Sequence, residues 1–353
     1  MKGIILHGGS GTRLRSFTYT DVKQLLPIAG KPISEYALEN LMEVGIKDVN
    51  IVIGSVGGSE VKSYYGNGEK WGVNITYTYQ EKPLGIAHAI GLTKDFVGND
   101  NFIVFLGDNY LNDGISSLYD AYNSDEMDGM LALVKVNNPS QFGIAEVREG
   151  KIVKLVEKPN EPNSDLAIAG VYFLKPDIFE VISRLKPSKR GEYEITEAYQ
   201  DMINQGKRIG YSIVTGWFKD TGTVEDFLEC NRLVLDKISN DPSSHGRNIS
   251  GRVFIDPSAN VNEDSTILGP CYIGPNAVVN NCYIGPFTSI GSNCNINNAD
   301  IEDSILMDGV KIDLSSSATI RNSIIGPNGS VTVGKEPKKV IRLILGRDSS
   351  VEL

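Results

Sequence analysis

Along the last third of the chain a branched aliphatic side chain recurs every six residues. Ile255, Val261, Ile267, Ile273 and Val279 keep the step, one five-residue interval gives Ile284, and sixes resume through Ile290 and Ile296. Two residues before each stands a small side chain or a valine: Val253, Ala259, Ser265, Cys271, Ala277, Cys282, Thr288 and Cys294. Ile-Gly-Pro returns at 273–275, 284–286 and 325–327. Hexads of this form are the sequence sign of a parallel β-helix, each residue pair filling a corner or face of a stacked coil. Such regular isoleucine spacing argues against a disordered tail. The register also accounts for cysteine: Cys271, Cys282 and Cys294 fall in the small slot and are expected to point inward as small hydrophobes. Cys230 lies in the helical stretch 223–238 and is expected in a core. No C-x-x-C spacing suggests zinc.

Residues 1 to about 235 follow a different rule. Apolar runs at 3–6, 49–53, 102–106 and 130–136 alternate with segments of helical periodicity such as Ser34 to Val44. That alternation is the signature of an α/β domain with a largely parallel sheet. Between the two regimes, residues 238–252 are polar and turn-rich and read as a linker. The expected domains are therefore 1–237, a linker at 238–252, and a β-helix over 253–353.

In a parallel sheet, ligands bind at the carboxyl ends of strands. The first such end carries His7-Gly8-Gly9-Ser10-Gly11-Thr12-Arg13-Leu14. Glycines let backbone N–H groups approach phosphate oxygens, and Arg13 adds a rigid cationic fork. A glycine-rich turn with one surface arginine would look the same. Two stronger motifs are excluded. Gly11-Thr12-Arg13 replaces the Gly-Lys-Ser/Thr of a Walker A loop, and Leu14 stands where a dinucleotide fingerprint needs its third glycine. The strand 49–55 also lacks the acidic end that would grip a ribose, which argues against an NAD-dependent dehydrogenase.

Composition narrows the class. The net charge of −10 argues against a nucleic-acid partner, and no apolar run reaches the length of a membrane span. Met1-Lys2-Gly3-Ile4 runs straight into a strand, so no signal peptide and a cytoplasmic location are expected, where a disulfide is not. An anionic substrate would then need local cations or a divalent metal.

Four groups could supply that chemistry. Asp108, in Leu106-Gly107-Asp108-Asn109, is placed at a strand end either to ligate Mg²⁺ or simply to close a turn. Asp220, in Trp217-Phe218-Lys219-Asp220, could ligate the same ion or cap the helix beginning near Thr223. Lys23 before Gln24-Leu25-Leu26-Pro27, and Lys158 before Pro159, are either solvated charges or cations held by rigid turns. Gln80-Glu81-Lys82-Pro83-Leu84-Gly85 could read a planar base or form an ordinary loop after the strand 75–79.

Taken together and in order, these residues carry a family resemblance. Segments 8–14 (GGSGTRL), 23–28 (KQLLPI), 83–89 (PLGIAHA), 106–109 (LGDN), 142–146 (FGIAE), 156–159 (VEKP), 190–196 (RGEYEIT) and 217–223 (WFKDTGT) resemble the glucose-1-phosphate thymidylyltransferases, which make dTDP-glucose. The match spans nearly the whole N-terminal domain. It implies a Rossmann-like nucleotidyltransferase domain with a mixed, mostly parallel sheet, and a C-terminal β-helix of the left-handed kind. The layout resembles the long form of that family, in which the coil replaces the short form's C-terminal helices; in the short form those helices carry a regulatory site.

The resemblance implies roles. Gly8, Gly9, Gly11 and Thr12 would cradle the nucleotide phosphates of dTTP, with Arg13 on the leaving pyrophosphate and Lys23 beside the transferring phosphate. Gln24 and Pro83 would line the nucleotide pocket; Gln80 and Gly85 would read the pyrimidine. Asp108 and Asp220 would hold Mg²⁺. Asn109, Gly143, Glu157 and Val171 would contact the glucose hydroxyls, Lys158 would bind the sugar phosphate, and Trp217 would wall the sugar side. The expected reaction is in-line attack of the sugar phosphate on the α-phosphorus, which needs no general base. UTP or another sugar 1-phosphate would suit the same residues, since thymine and uracil differ by one methyl worth about 1 kcal/mol. A non-catalytic regulatory subunit would have lost Arg13, Lys23, Asp108, Lys158 and Asp220, all present here. A homo-oligomer is expected, and residues 253–353 contain no histidine for an acyltransferase. Three positions depart from the family: His7 where alanine is usual, Asp21-Val22 before Lys23, and Phe142 before Gly143. A buried neutral His7 with a backbone partner is the expectation there.

Overall fold

The computed structural model describes residues 1–8, 22–239, 248–314, 318–332 and 340–352. The chain divides into two compact units, Met1–Ser10 with Ile33–Asp220, and Gly11–Pro32 with Thr221–Leu353.

In chain order the elements that matter are β1 (Lys2–Leu6), β2 (Pro27–Ile28), β3 (Lys31–Pro32), α1 (Ile33–Glu43), β4 (Asp48–Ile53), α2 (Gly58–Tyr65), β5 (Asn74–Tyr79), α3 (Ile86–Gly91), β6 (Phe102–Leu106), β7 (Asn109–Leu111), β8 (Gly129–Lys135), β9 (Gly143–Arg148), β10 (Lys151–Glu157), β11 (Leu166–Leu174), α4 (Ile195–Asn204), β12 (Ile209–Ile213), β13 (Phe218–Asp220) and α5 (Val224–Leu235). The apolar runs read from the sequence are β1, β4, β6 and β8, and the periodic stretch from Ser34 is α1.

The first unit is built on one nine-stranded mixed sheet, ordered β10-β9-β11-β6-β1-β4-β5, with β8 pairing β11 and β12. Strands β6, β1, β4 and β5 are parallel. Around β11 the pairing turns antiparallel, to β6, β8 and β9. Ile4, Leu6, Val104 and Tyr172 line one face and pack with Ala87, Ile90, Ala198, Tyr199 and Met202. Each fully buried aliphatic side chain of this kind contributes roughly 1.5–3 kcal/mol.

The second unit is dominated by three six-stranded parallel sheets, each taking one strand from every turn of a coil. This is the arrangement expected of the hexad β-helix. One ladder runs Ile267–Ile284–Ile301–Ile320–Ile341, and another Val279–Ile296–Ile312–Val331–Val351. Corners use left-handed backbone at Asn276, Asn281, Asn293, Asn298 and Asn328, a conformation asparagine tolerates better than most side chains. Cys271, Cys282 and Cys294 point inward, and burial pushes the Cys271 and Cys294 thiols up to about 12.

Ile249 already pairs with Ile267, so the coil starts inside the stretch read as linker. It lies one hexad before Ile255, where polar neighbours mask a single in-register isoleucine. Helix α5, assigned to the first domain by the sequence, sits in the second unit. Arg232 binds Asp303 and Asn322, and buried Asn231 donates to Phe287 O at 3.2 Å while its Oδ1 accepts from Ser289 Oγ at 2.7 Å and from the Ala29 N–H at 3.0 Å.

Candidate functional site

The parallel half of the first sheet delivers several loops to one edge. Leu6 pairs with Leu106, so the chain leaves β1 at His7-Gly8 beside the point where it leaves β6 at Gly107-Asp108. Gly107 N–H donates to Leu6 O at 3.0 Å, His7 N–H to Val52 O at 2.9 Å, and Gln80 N–H to Ile53 O at 2.8 Å. The carboxyl ends of β1, β4, β5 and β6 are thus stitched together, the place where open α/β sheets bind ligands. Gly8 is exposed there, and a Cβ on it would stand 3.1 Å from Gln80 Oε1. Gly9, Gly11, Thr12 and Arg13 lie outside the described residues.

Asp108 closes the turn between β6 and β7. Strand β13 runs antiparallel to β7, with Asp220 directly opposite Asn109. The ladder therefore brings Asp220, more than a hundred residues on in sequence, to the position next along from Asp108, and both residues are half-buried. The alternative reading of Asp220 as a helix cap does not hold. Thr223 caps α5, its side chain accepting from Asp226 N–H while Asp226 returns a bond to Thr223 N–H, the reciprocal box that satisfies two orphan donors. Among the described residues no three acidic, histidine or cysteine side chains converge into a complete metal cage. The carboxylates of Asp108 and Asp220 are hard oxygen donors of the type that suits Mg²⁺.

On the antiparallel half, Asn109 is buried and its Nδ2 donates to Ala169 O at 3.2 Å. The β11 register shifts between Ile168 and Tyr172, and Gly170 there has φ +67. A Cβ on Gly170 would lie 2.2 Å from Asn109 Nδ2, so glycine is required for the amide to reach its partner. Gly143 and Glu157 pair at the open end of the β9–β10 hairpin. Burial pushes the Glu157 carboxyl up, Glu194 adds to this, and Lys158 and Arg190 oppose it. Its carboxylate meets Arg190 Nη1 at 3.4 Å and Thr196 Oγ1 at 3.4 Å. Lys158, next in the chain, is exposed and holds a left-handed φ of 42, strain of the kind that collects at ligand sites. Trp217 is exposed, with its carbonyl accepting from Asn112 N–H at 2.8 Å. Val171 pairs with Phe105 and is fully buried, leaving no side-chain surface for a hydroxyl contact. Pro83 is exposed, Gly85 half-buried with φ +104, and Gln80 buried. In the second unit, Lys23 and Gln24 are buried in the short 3₁₀ turn Lys23–Leu25.

His7 is buried and stays neutral, since burial pushes its pKa down to about 3 against the pull of Asp108. Among the described residues neither ring nitrogen has the backbone partner expected for it. Sequence reasoning gave no role to Arg190, Glu194 and Thr196, which surround Glu157, nor to His88, which meets Gln80. All four lie in segments quoted for the family resemblance, so the signal was present and unread.

Residues 2–237 match the model of the nucleotidyl transferase family. The chain belongs to the nucleotidyl transferase family. Residues 267–352 match the GMPPB C-terminal domain. A glucose-1-phosphate thymidylyltransferase of Streptomyces antibioticus is 41% identical over 360 residues, covering 100% of this chain and 99% of that protein. The low-salt glycan biosynthesis nucleotidyltransferase Agl11 of Haloferax volcanii is 40% identical over 359 residues, covering 100% of both. Among solved structures, a Bacillus anthracis protein described as a glucose-1-phosphate thymidylyltransferase, in complex with a sucrose, is 38% identical with a TM-score of 0.64. That match covers 68% of this chain and 98% of the other. Members of the nucleotidyl transferase family act on nucleoside triphosphates and sugar phosphates, generally with a divalent metal. No helix among the described residues is long and apolar enough to cross a membrane.

Proposed function

We propose that this chain transfers the thymidylyl group of dTTP to glucose 1-phosphate, releasing pyrophosphate and forming dTDP-glucose. The observation that carries the reading is the β7–β13 ladder, which sets Asp220 across from Asn109, the residue after Asp108. Carboxylates there suit a reaction between two anions, and full-length likeness to a thymidylyltransferase supports the choice of substrates.

An oxygen of the sugar phosphate attacks the α-phosphorus in line. The new O–P bond forms as the bond to the β-phosphate breaks, and its electron pair leaves with pyrophosphate. The attacking oxygen is already ionised at neutral pH, so the protein removes no proton. Its work is positioning and charge neutralisation. Lys158 would hold the sugar phosphate, and Asn109, Gly143 and Glu157 the hydroxyls, with Trp217 as a wall. Gly8, Gly9, Gly11, Thr12 and Arg13 would hold the triphosphate, with Lys23 and Gln24 alongside and Gln80, Pro83 and Gly85 around the base. Mg²⁺ held by Asp108 and Asp220 would neutralise charge on the phosphate oxygens. The chain is read as acting in the cytoplasm.

A matrix of triphosphates against sugar 1-phosphates, read by pyrophosphate release, tests this. Release that requires dTTP, glucose 1-phosphate and Mg²⁺ together is expected. Silence with every pair would refute it.

A further inference from the structure

Gln80 meets two partners on one side of its amide. Nε2 lies 3.4 Å from the carbonyl oxygen of Gly85 and 2.9 Å from Nδ1 of His88. A carbonyl oxygen only accepts, so the amide nitrogen must face this pair. Both amide hydrogens are then directed there, and Nδ1 of His88 must accept, which places the imidazole proton on Nε2. The amide oxygen lies on the Gly8 side, 3.1 Å from where a Cβ on that residue would stand.

His88 is itself held in place. Ala87 N–H donates to Tyr193 O at 3.1 Å, and the His88 ring stacks on Tyr193 with centroids 6.0 Å apart and planes 28° from parallel. A Cβ on Gly85 would stand 2.6 Å from Tyr193 O, so the turn that presents the Gly85 carbonyl is packed against the same residue.

We propose that His88 is a positioning residue for base selection. By accepting from Gln80 Nε2 it keeps the carboxamide from turning over and holds Oε1 toward the nucleotide base. An oxygen so fixed accepts from the imide N3–H of thymine or uracil. Cytosine carries a bare acceptor at that position, and two lone pairs would face each other. The selection follows from one tautomer of one imidazole. The proposal rests on the reading that Gln80 faces the base of the triphosphate.

The test compares the parent enzyme with His88→Phe, which keeps a ring against Tyr193 but has no acceptor. The second variant, His88→Asn, loses the ring but offers Oδ1 in place of Nδ1. Each is measured for kcat and KM with dTTP, UTP and dCTP at saturating glucose 1-phosphate. The imidazole nitrogen shifts of the parent are read by NMR. The parent is expected to reject dCTP and to show His88 as the Nε2–H tautomer. His88→Phe is expected to lower the dTTP-over-dCTP ratio of kcat/KM about tenfold, the scale of one hydrogen bond, through KM for the nucleotide. KM for glucose 1-phosphate should keep the parent value, and His88→Asn should restore the ratio. An unchanged ratio in His88→Phe, an equal loss in His88→Asn, or an Nδ1–H tautomer overturns the proposal. A parent that uses dCTP as readily as dTTP would instead overturn the reading of Gln80 as a base contact, and the proposal with it.

Discussion

The Glu157 carboxylate occupies the space that a side chain on Gly143 would need. A Cβ at 143 would lie 2.9 Å from Glu157 Oε2 and 2.8 Å from Thr196 Cγ2. The glycine at the open end of the hairpin is therefore a condition for the position of Glu157. Gly143→Ala is expected to displace the carboxylate and raise KM for glucose 1-phosphate about tenfold, the equivalent of roughly 1.4 kcal/mol. KM for dTTP should hold. A variant with both KM values at parental level would show that Glu157 does not meet the sugar.

Glu157 also sets a pH dependence. Its pKa is raised, first by burial, so the folded state holds the proton more tightly than the unfolded chain. The charged form costs stability above the folded pKa, and that cost disappears as pH falls through it. As an acceptor for a hydroxyl the group works the other way. KM for the sugar phosphate should rise on acidification at a higher pH than an exposed glutamate would give. Glu157→Gln should flatten the KM profile on the acid side, where the raised carboxyl takes up its proton; parallel profiles would exclude the residue.

Asp108 and Asp220 are expected to act through one ion. Asp108→Asn and Asp220→Asn should each lower kcat/KM by about 10²–10³-fold, as removal of a transition-state charge contact does. The double variant should lose little more than the worse single, because the two side chains share a partner. Chelation should abolish turnover and Mg²⁺ restore it. Fully additive losses in steady-state kinetics would separate the two residues.

His7 ties stability to acid. The unfolded chain takes up a proton near the ordinary histidine value of about 6.5, while the folded ring resists until about 3. Stability should therefore decline as pH falls through that window. Urea unfolding of the parent and His7→Gln across it should give a shallower decline for the variant, and equal slopes would remove His7 as the cause.

Asn231 is a hub of the second unit. Truncation leaves Ala29 N–H, Phe287 O and Ser289 Oγ without their shared partner. Asn231→Ala should destabilise by about 2–3 kcal/mol, the cost of stranding buried polar groups. Equilibrium unfolding followed by circular dichroism measures it, and a loss within error of zero would mean that water replaces the amide.

The hexads were legible because every turn of the coil repeats the same demand, one large and one small inward side chain. The strands β1, β4, β6 and β8 were legible because each is an apolar run long enough to be buried on both faces. Strands β7 and β13 span three residues each, too short for any period, so the meeting of Asp220 with Asn109 was not readable from spacing. The Thr223-x-x-Asp226 box was readable, and it settles the role that local sequence left open for Asp220. The His88–Gln80 pair escaped notice because one residue was expected to face the ligand and the other had no assigned task. The strained φ of Lys158 carried no sequence sign, since left-handed backbone is seldom chosen by lysine.

Each strand of the coil answers only to the strand one turn above and the strand one turn below. Turn length varies along the stack, from Ser289–Ile305, sixteen apart, to Ile320–Ile341, twenty-one apart, while the ladders continue unbroken. A whole rung could thus be duplicated or deleted by an in-frame change without disturbing its neighbours' registers. The number of rungs is free to drift as inherited history, on a timescale unrelated to the chemistry of the catalytic half.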